Sequence, residues 1–100
     1  PYPDNIVYTA HAIEQMDKRG IYQQTVEDAI SNGEVIEEYD TSEERRYLLW
    51  WEVVESFLPY PIYRHVVAAD RADGTTIIIT AYDPRSQPDR WTDDFKTRLD

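Results

Sequence analysis

The sequence predicts an α+β fold: two short N-terminal helices packed on a mainly antiparallel sheet of about four strands, with a C-terminal helix. Three observations predict it. Two short stretches near the start carry apolar residues at helical spacing, and each ends on a glycine. The middle of the chain then alternates apolar and polar residues with period two, as half-buried strands do. Near the end, Trp91, Phe95 and Leu99 fall at i, i+4 and i+8.

Each element has its own local reason. Thr9 can cap a first helix that runs to Arg19, with Gly20 suited to the left-handed position past its end. Ala12, Ile13 and Met16 form its stripe, with His11, Gln15 and Lys18 beside it. Thr25 can cap a second helix from Val26 to Asn32, whose stripe is Val26, Ala29 and Ile30 and whose stop is Gly33. Both helices are too short to be stable alone, so they must lean on a sheet. Glu34 to Tyr39 reads as a charged edge strand and Asp40 to Glu44 as a solvated loop. Arg46 to Val54 is a long strand with Tyr47, Leu49, Trp51 and Val53 on its apolar face and Arg46, Leu48, Trp50 and Glu52 on a mixed one. Ile62 to Ala69 and Thr75 to Tyr82 are the clearest strands, joined through the turn pair Asp73-Gly74. Asp83-Pro84 ends the sheet, and Pro88 with Asp89 suits the first turn of the C-terminal helix.

One hundred residues is the size of a single domain, 1–100, and 41% apolar residues suffice for a core. No apolar run approaches the roughly 18 residues that cross a bilayer, and no basic region leads into an apolar stretch. A cytoplasmic protein with no membrane contact is therefore expected. The absence of cysteine removes disulfides, thiol nucleophiles and cysteine-type zinc sites. Two histidines are too few for a His-rich metal site, so neither metal nor cofactor is expected. Twenty acidic against ten basic residues give a net charge of -10. A polyanion would have to be bound through a local basic patch, or through a basic partner.

One order of landmarks runs through His11-Ala12-Ile13-Glu14-Gln15-Met16 with Lys18-Arg19-Gly20-Ile21, Val26-Glu27-Asp28-Ala29-Ile30, and Gly33-Glu34-Val35-Ile36-Glu37-Glu38-Tyr39. It continues through His65-Val66-Val67-Ala68 and Ile78-Ile79-Thr80-Ala81-Tyr82-Asp83-Pro84 to Asp89-Arg90-Trp91. This ordered set resembles a bacterial and archaeal family, domain of unknown function 4258. Members look like distant relatives of small ribonuclease toxins of the RelE and BrnT kind, some of them encoded beside antitoxin-like proteins. The resemblance thus implies a toxin-like domain, a metal-independent endoribonuclease of a toxin–antitoxin pair, with RNA or the ribosome and an antitoxin as partners, and no DNA. Two departures stand out. Many members have an arginine where Gln15 stands, and the region from Trp50 to Pro61 is longer and more aromatic.

Cleaving RNA through its 2′-hydroxyl needs a base, an acid for the leaving oxygen and fixed positive charge on the phosphate. His11, His65, Arg46, Tyr82 and Thr80 are the candidates. His11 in a first helical turn would be held neutral by the helix dipole and able to act as a base. His65, between Tyr63 and Val67 on one strand face, would be general acid or base, or else a satisfied core histidine. Thr80 and Tyr82 share a strand face with Ile78, and Tyr82 could donate to a phosphate or stack on a base. Arg46 could clamp a phosphate, with Arg64 and Arg90 as weaker candidates and surface ion pairing as the competing role. Lys18-Arg19 and Arg45-Arg46 are the only adjacent basic pairs.

A different reading uses other residues. Trp50, Trp51, Phe57, Tyr60 and Tyr63 crowd around two prolines, and Glu37, Glu38, Asp40, Glu43 and Glu44 make an acidic run. Together these would suit a non-catalytic module that holds a protein partner. The catalytic reading requires His11 and His65 to meet over the open side of the sheet.

Overall fold

The computed structural model describes residues 5–53 and 57–100. Seven regular elements follow in order: strand β1 (Ile6–Tyr8), helices α1 (Ala10–Arg19) and α2 (Gln23–Asn32), then strands β2 (Glu34–Asp40), β3 (Glu44–Val53), β4 (Ile62–Arg71) and β5 (Thr76–Tyr82). The strands form one mixed sheet in the order β1-β5-β4-β3-β2. The fold is α+β, as expected, but the sheet has a fifth strand and is not wholly antiparallel. β1 is three residues long, too short for alternation to reveal, and it pairs parallel to β5. The expected end of the long strand at Val54 lies outside the described residues.

The helices begin and end much as their residues dictate. The Thr9 side chain accepts from the Ala12 N–H, and Gly20 takes up a left-handed φ of 66°. α2 starts at Gln23 rather than at Val26, with no side-chain cap at Tyr22. α1 and α2 cover one face of the sheet. Ala12, Met16, Ile21, Val26 and Ala29 from this layer meet Tyr47, Leu49, Val66, Ala68, Ile78 and Ala81 from the strands. Ile13 is not part of this contact and is half exposed, because α1 presents its Ala12–Met16 line to the strands.

A bulge decides which way the end of β5 points. Ala68 pairs with Ile78 but Val67 pairs with Thr80, so Ile79 is an extra residue. Without it, Ile78, Thr80 and Tyr82 would share one face. With it, Ile78 and Ala81 both enter the helix-side core, and Tyr82, paired with His65, turns to the other face.

That second face is not open. Residues 84–100 fold back across it, and the expected C-terminal helix is absent. The segment has only 3₁₀ turns at Pro84–Ser86 and Pro88–Arg90, followed by a tight reversal closed by the pairing of Trp91 with Arg98. The Asp94 side chain accepts from Thr92 Oγ1 and the Lys96 N–H, local bonds that compete with a helical ladder. The segment is held from several points. Trp50 Nε1 donates to the Asp94 carbonyl, Lys96 pairs with Glu34, and Arg98 makes a two-pronged pair with Glu37. Trp91, 4% exposed, fills the space over His65, with which it packs edge-on at 4.5 Å.

Candidate active site at the edge of β5

Among the described residues β1 pairs only with residues 76–78 of β5, so the far end of β5 has no strand beside it there. Arg19, in the last turn of α1, reaches over that edge. Its guanidinium donates to the Ala81 carbonyl at 2.8 Å and to Thr80 Oγ1 at 3.4 Å. Here a cavity of about 450 Å³ opens, lined by Arg19, Tyr82, Gln87, Arg90 and Arg98 among others.

Its charge is unusual for so acidic a chain. Among the described residues, seven of the ten cations form ion pairs with carboxylates. Arg19, Arg71 and Arg90 do not, and two of these three line this cavity. Arg98 lines it too, but it is committed to Glu37, whose carboxyl the guanidinium holds below its usual range. Arg19 and Arg90 thus bring positive charge to one small concave site, where the one carboxylate in the lining, Asp83, is engaged by Arg64 and Arg85.

Tyr82 is half-buried in its wall, and burial pushes its phenol above the ordinary value. Behind it lies His65, wholly buried. Tyr82 Oη stands 3.2 Å from His65 Nδ1, and His65 Nε2 stands 2.7 Å from the Phe95 carbonyl. Burial lowers the His65 pKa, so the ring is neutral at pH 7.

Of the five expected site residues, three therefore come together: Tyr82 in the cavity wall, His65 behind it, and Thr80 as a hydrogen-bond partner of Arg19. His11 does not join them. It is exposed on α1, in the helical layer, while His65 points to the opposite face of the sheet. The required meeting of the two imidazoles does not occur, because β4 alternates and Val66 and Ala68 take the helix side. The catalytic site built on both histidines is thereby overturned, and a ribonuclease reading can stand only on a different set of residues. Arg46 does not join the three residues either. It pairs with Glu44 at 2.7 Å and sits four residues along β3 from the partner of His65, about 13 Å at the usual strand rise. Arg64 is bound to Asp83.

Of the cavity's cations, Arg90 was among the weaker phosphate candidates in the sequence, while Arg19 and Arg98 were harder to see. Arg19 was visible only as half of a basic pair, although its place just before Gly20 puts it at a helix end. Arg98 carried no signal. Among the described residues no group of three or more His, Asp or Glu could hold a metal ion, and no helix is long and apolar enough to cross a membrane.

The family model described as domain of unknown function DUF4258 matches residues 8–83. The chain belongs to that family. The match spans both helices and β2 to β5 and takes in Arg19, His65, Thr80 and Tyr82. Arg90, Trp91, Phe95 and Arg98, all from the covering segment, lie beyond it. Comparison with curated proteins and with solved structures gave no significant match.

Proposed function

We propose that this DUF4258 protein is a toxin-like endoribonuclease that needs no metal, acts in the cytoplasm and is held in check by an antitoxin. The observation that carries the reading is the cavity at the β5 edge, which Arg19 and Arg90, neither in an ion pair among the described residues, line together with Tyr82. Two guanidiniums suit a phosphodiester, because each offers planar donors that match phosphate oxygens and each stays charged. Tyr82 would then stand at the reacting oxygens, and Thr80 would fix the direction of Arg19. Against the net charge of -10, support comes from these two arginines, which pair with no carboxylate among the described residues, in a cavity whose lining also holds Asp83.

The test is cleavage of single-stranded RNA by the purified chain, beside the same sequence with 2′-deoxyribose. RNA should be cut and the deoxy strand left whole. Arg19→Ala and Arg90→Ala should each weaken RNA binding about tenfold or more, as losing a charge-assisted bond of roughly 1.5–3 kcal/mol requires. Binding unchanged in both variants would remove the cavity from the reading.

A second reading has its own support. Phe57 and Tyr60 are exposed, at 79% and 53% respectively, and the chain is strongly acidic. These features suit a non-catalytic module that docks a basic protein. That reading predicts no cleavage and a complex weakened by Phe57→Ala, with Arg19→Ala silent.

A further inference from the structure

The contact between Tyr82 and His65 has a fixed direction. A carbonyl can only accept, so the 2.7 Å contact to Phe95 requires a proton on His65 Nε2. A neutral ring protonated there has a bare Nδ1. The 3.2 Å contact is therefore a phenol O–H donating from Tyr82 to His65 Nδ1. The backbone supports this arrangement at a cost. Phe95 is the one described non-glycine residue with positive φ, 62°, and its carbonyl is the group that orients the ring. One side of the pair faces the cavity, and the other is sealed under Trp91.

We infer that Tyr82 and His65 form a proton relay: Tyr82 takes the proton of the substrate 2′-hydroxyl while passing its own to His65 Nδ1. The inference rests on the ribonuclease reading and names how that site works. Tyr82 touches the substrate. His65, out of reach of it, is a positioning residue that also holds the proton. The 2′-oxygen forms a bond to phosphorus and the bond from phosphorus to the 5′-oxygen breaks, giving a 2′,3′-cyclic phosphate and a free 5′-hydroxyl. The departing oxygen takes its proton from water at the open mouth of the cavity. The hydroxide left behind is neutralised when His65 returns its proton through Tyr82. A phenol raised by burial is a poor base alone, and a neutral imidazole behind it removes that difficulty.

The charged and titratable groups around His65 are Tyr82 and Asp83 at the end of β5, Glu37 on β2 and Arg98 in the covering segment. The two carboxylates favour the imidazolium that the relay forms, Arg98 opposes it, and burial keeps the resting ring neutral. Since an imidazolium cannot accept at Nδ1, cleavage should fall as pH drops through the depressed pKa of His65.

The experiment joins kinetics to nitrogen-15 NMR of the imidazole on the whole chain. Wild type should show the tautomer protonated at Nε2, and Tyr82→Phe should move the Nδ1 resonance. His65→Gln, which keeps a donor for the Phe95 carbonyl, should lower kcat about 100-fold or more with KM within about twofold, and should lose the acid limb of the pH profile. If that variant unfolds, Tyr82→Phe carries the kinetic test and must lose kcat to the same degree. A ring protonated at Nδ1, or a folded His65→Gln with wild-type kcat and acid limb, overturns the relay while leaving the ribonuclease reading intact. A wild-type chain that cuts no RNA overturns both.

Discussion

His65 is wholly buried under Trp91, with its two ring nitrogens bonded to Tyr82 and to the Phe95 carbonyl. Its position between Tyr63 and Val67 gave the strand and the face, but nothing in the spacing said that residues 84–100 would seal that face. Thr80 and Tyr82 were legible as neighbours, since residues two apart on a strand share a side. Their orientation was not legible, because the extra residue Ile79 leaves no mark in a run of isoleucines. Burial of His65 also has a consequence for stability. Between its depressed native pKa and the ordinary value near 6.5, the unfolded ring binds a proton that the folded ring refuses. Stability should therefore be complete above about pH 6.5 and be lost as pH falls through that window. Thermal unfolding between pH 5 and 8 should show this slope in wild type, and His65→Gln should flatten it. Glu37 and Asp83, whose carboxyls are held low by arginine partners, add a further loss only at more acid pH.

Among the elements, the helices were the most legible and the last segment the least. Thr9, Gly20 and Gly33 each mark a helix end for a local reason, so sequence alone located those ends within a few residues. The C-terminal spacing of Trp91, Phe95 and Leu99 was equally regular, yet bonds from the Asp94 side chain and tethering to Glu34 and Glu37 favour a reversal. Periodicity reports what a helix would bury, not whether a competing set of contacts is better. The two helix-ending glycines differ in their physics. Gly20 has φ of 66° and open space where a Cβ would stand, so Gly20→Ala should cost only the left-handed penalty, about 1 kcal/mol. At Gly33 the backbone is ordinary, but a Cβ would stand 2.5 Å from the Ala29 carbonyl oxygen and 3.0 Å from that of Trp50. Gly33→Ala must push α2 away from β3 and should cost roughly 2 kcal/mol or more. Urea titration of the two variants checks the order.

At the scale of the whole molecule, the sheet is covered on both sides by different means: helices on one face and an irregular strap on the other. The strap lies outside the DUF4258 match, yet Trp91 is among the buried residues of the structure. A chain ending at Asp83 would span the family match and still expose Leu48, His65 and Trp50. Losing the Trp91 side chain alone is worth about 3–5 kcal/mol, a large part of a domain's usual margin. That shortened chain should melt far below the full one in calorimetry and bind a hydrophobic dye. The parallel strand at the opposite edge carries a different lesson. Thr9 bonds to Ile79, 70 residues away, and among the described residues β1 pairs with β5 alone. During synthesis on a ribosome the antiparallel β2-β3-β4 meander can zip up as it emerges, whereas β1 and the α1 residues packed on Ile78 must wait for β5. The earliest-made part of the fold is thus the last to find its place, and a circular permutant carrying β1 and α1 after β5 would remove that delay.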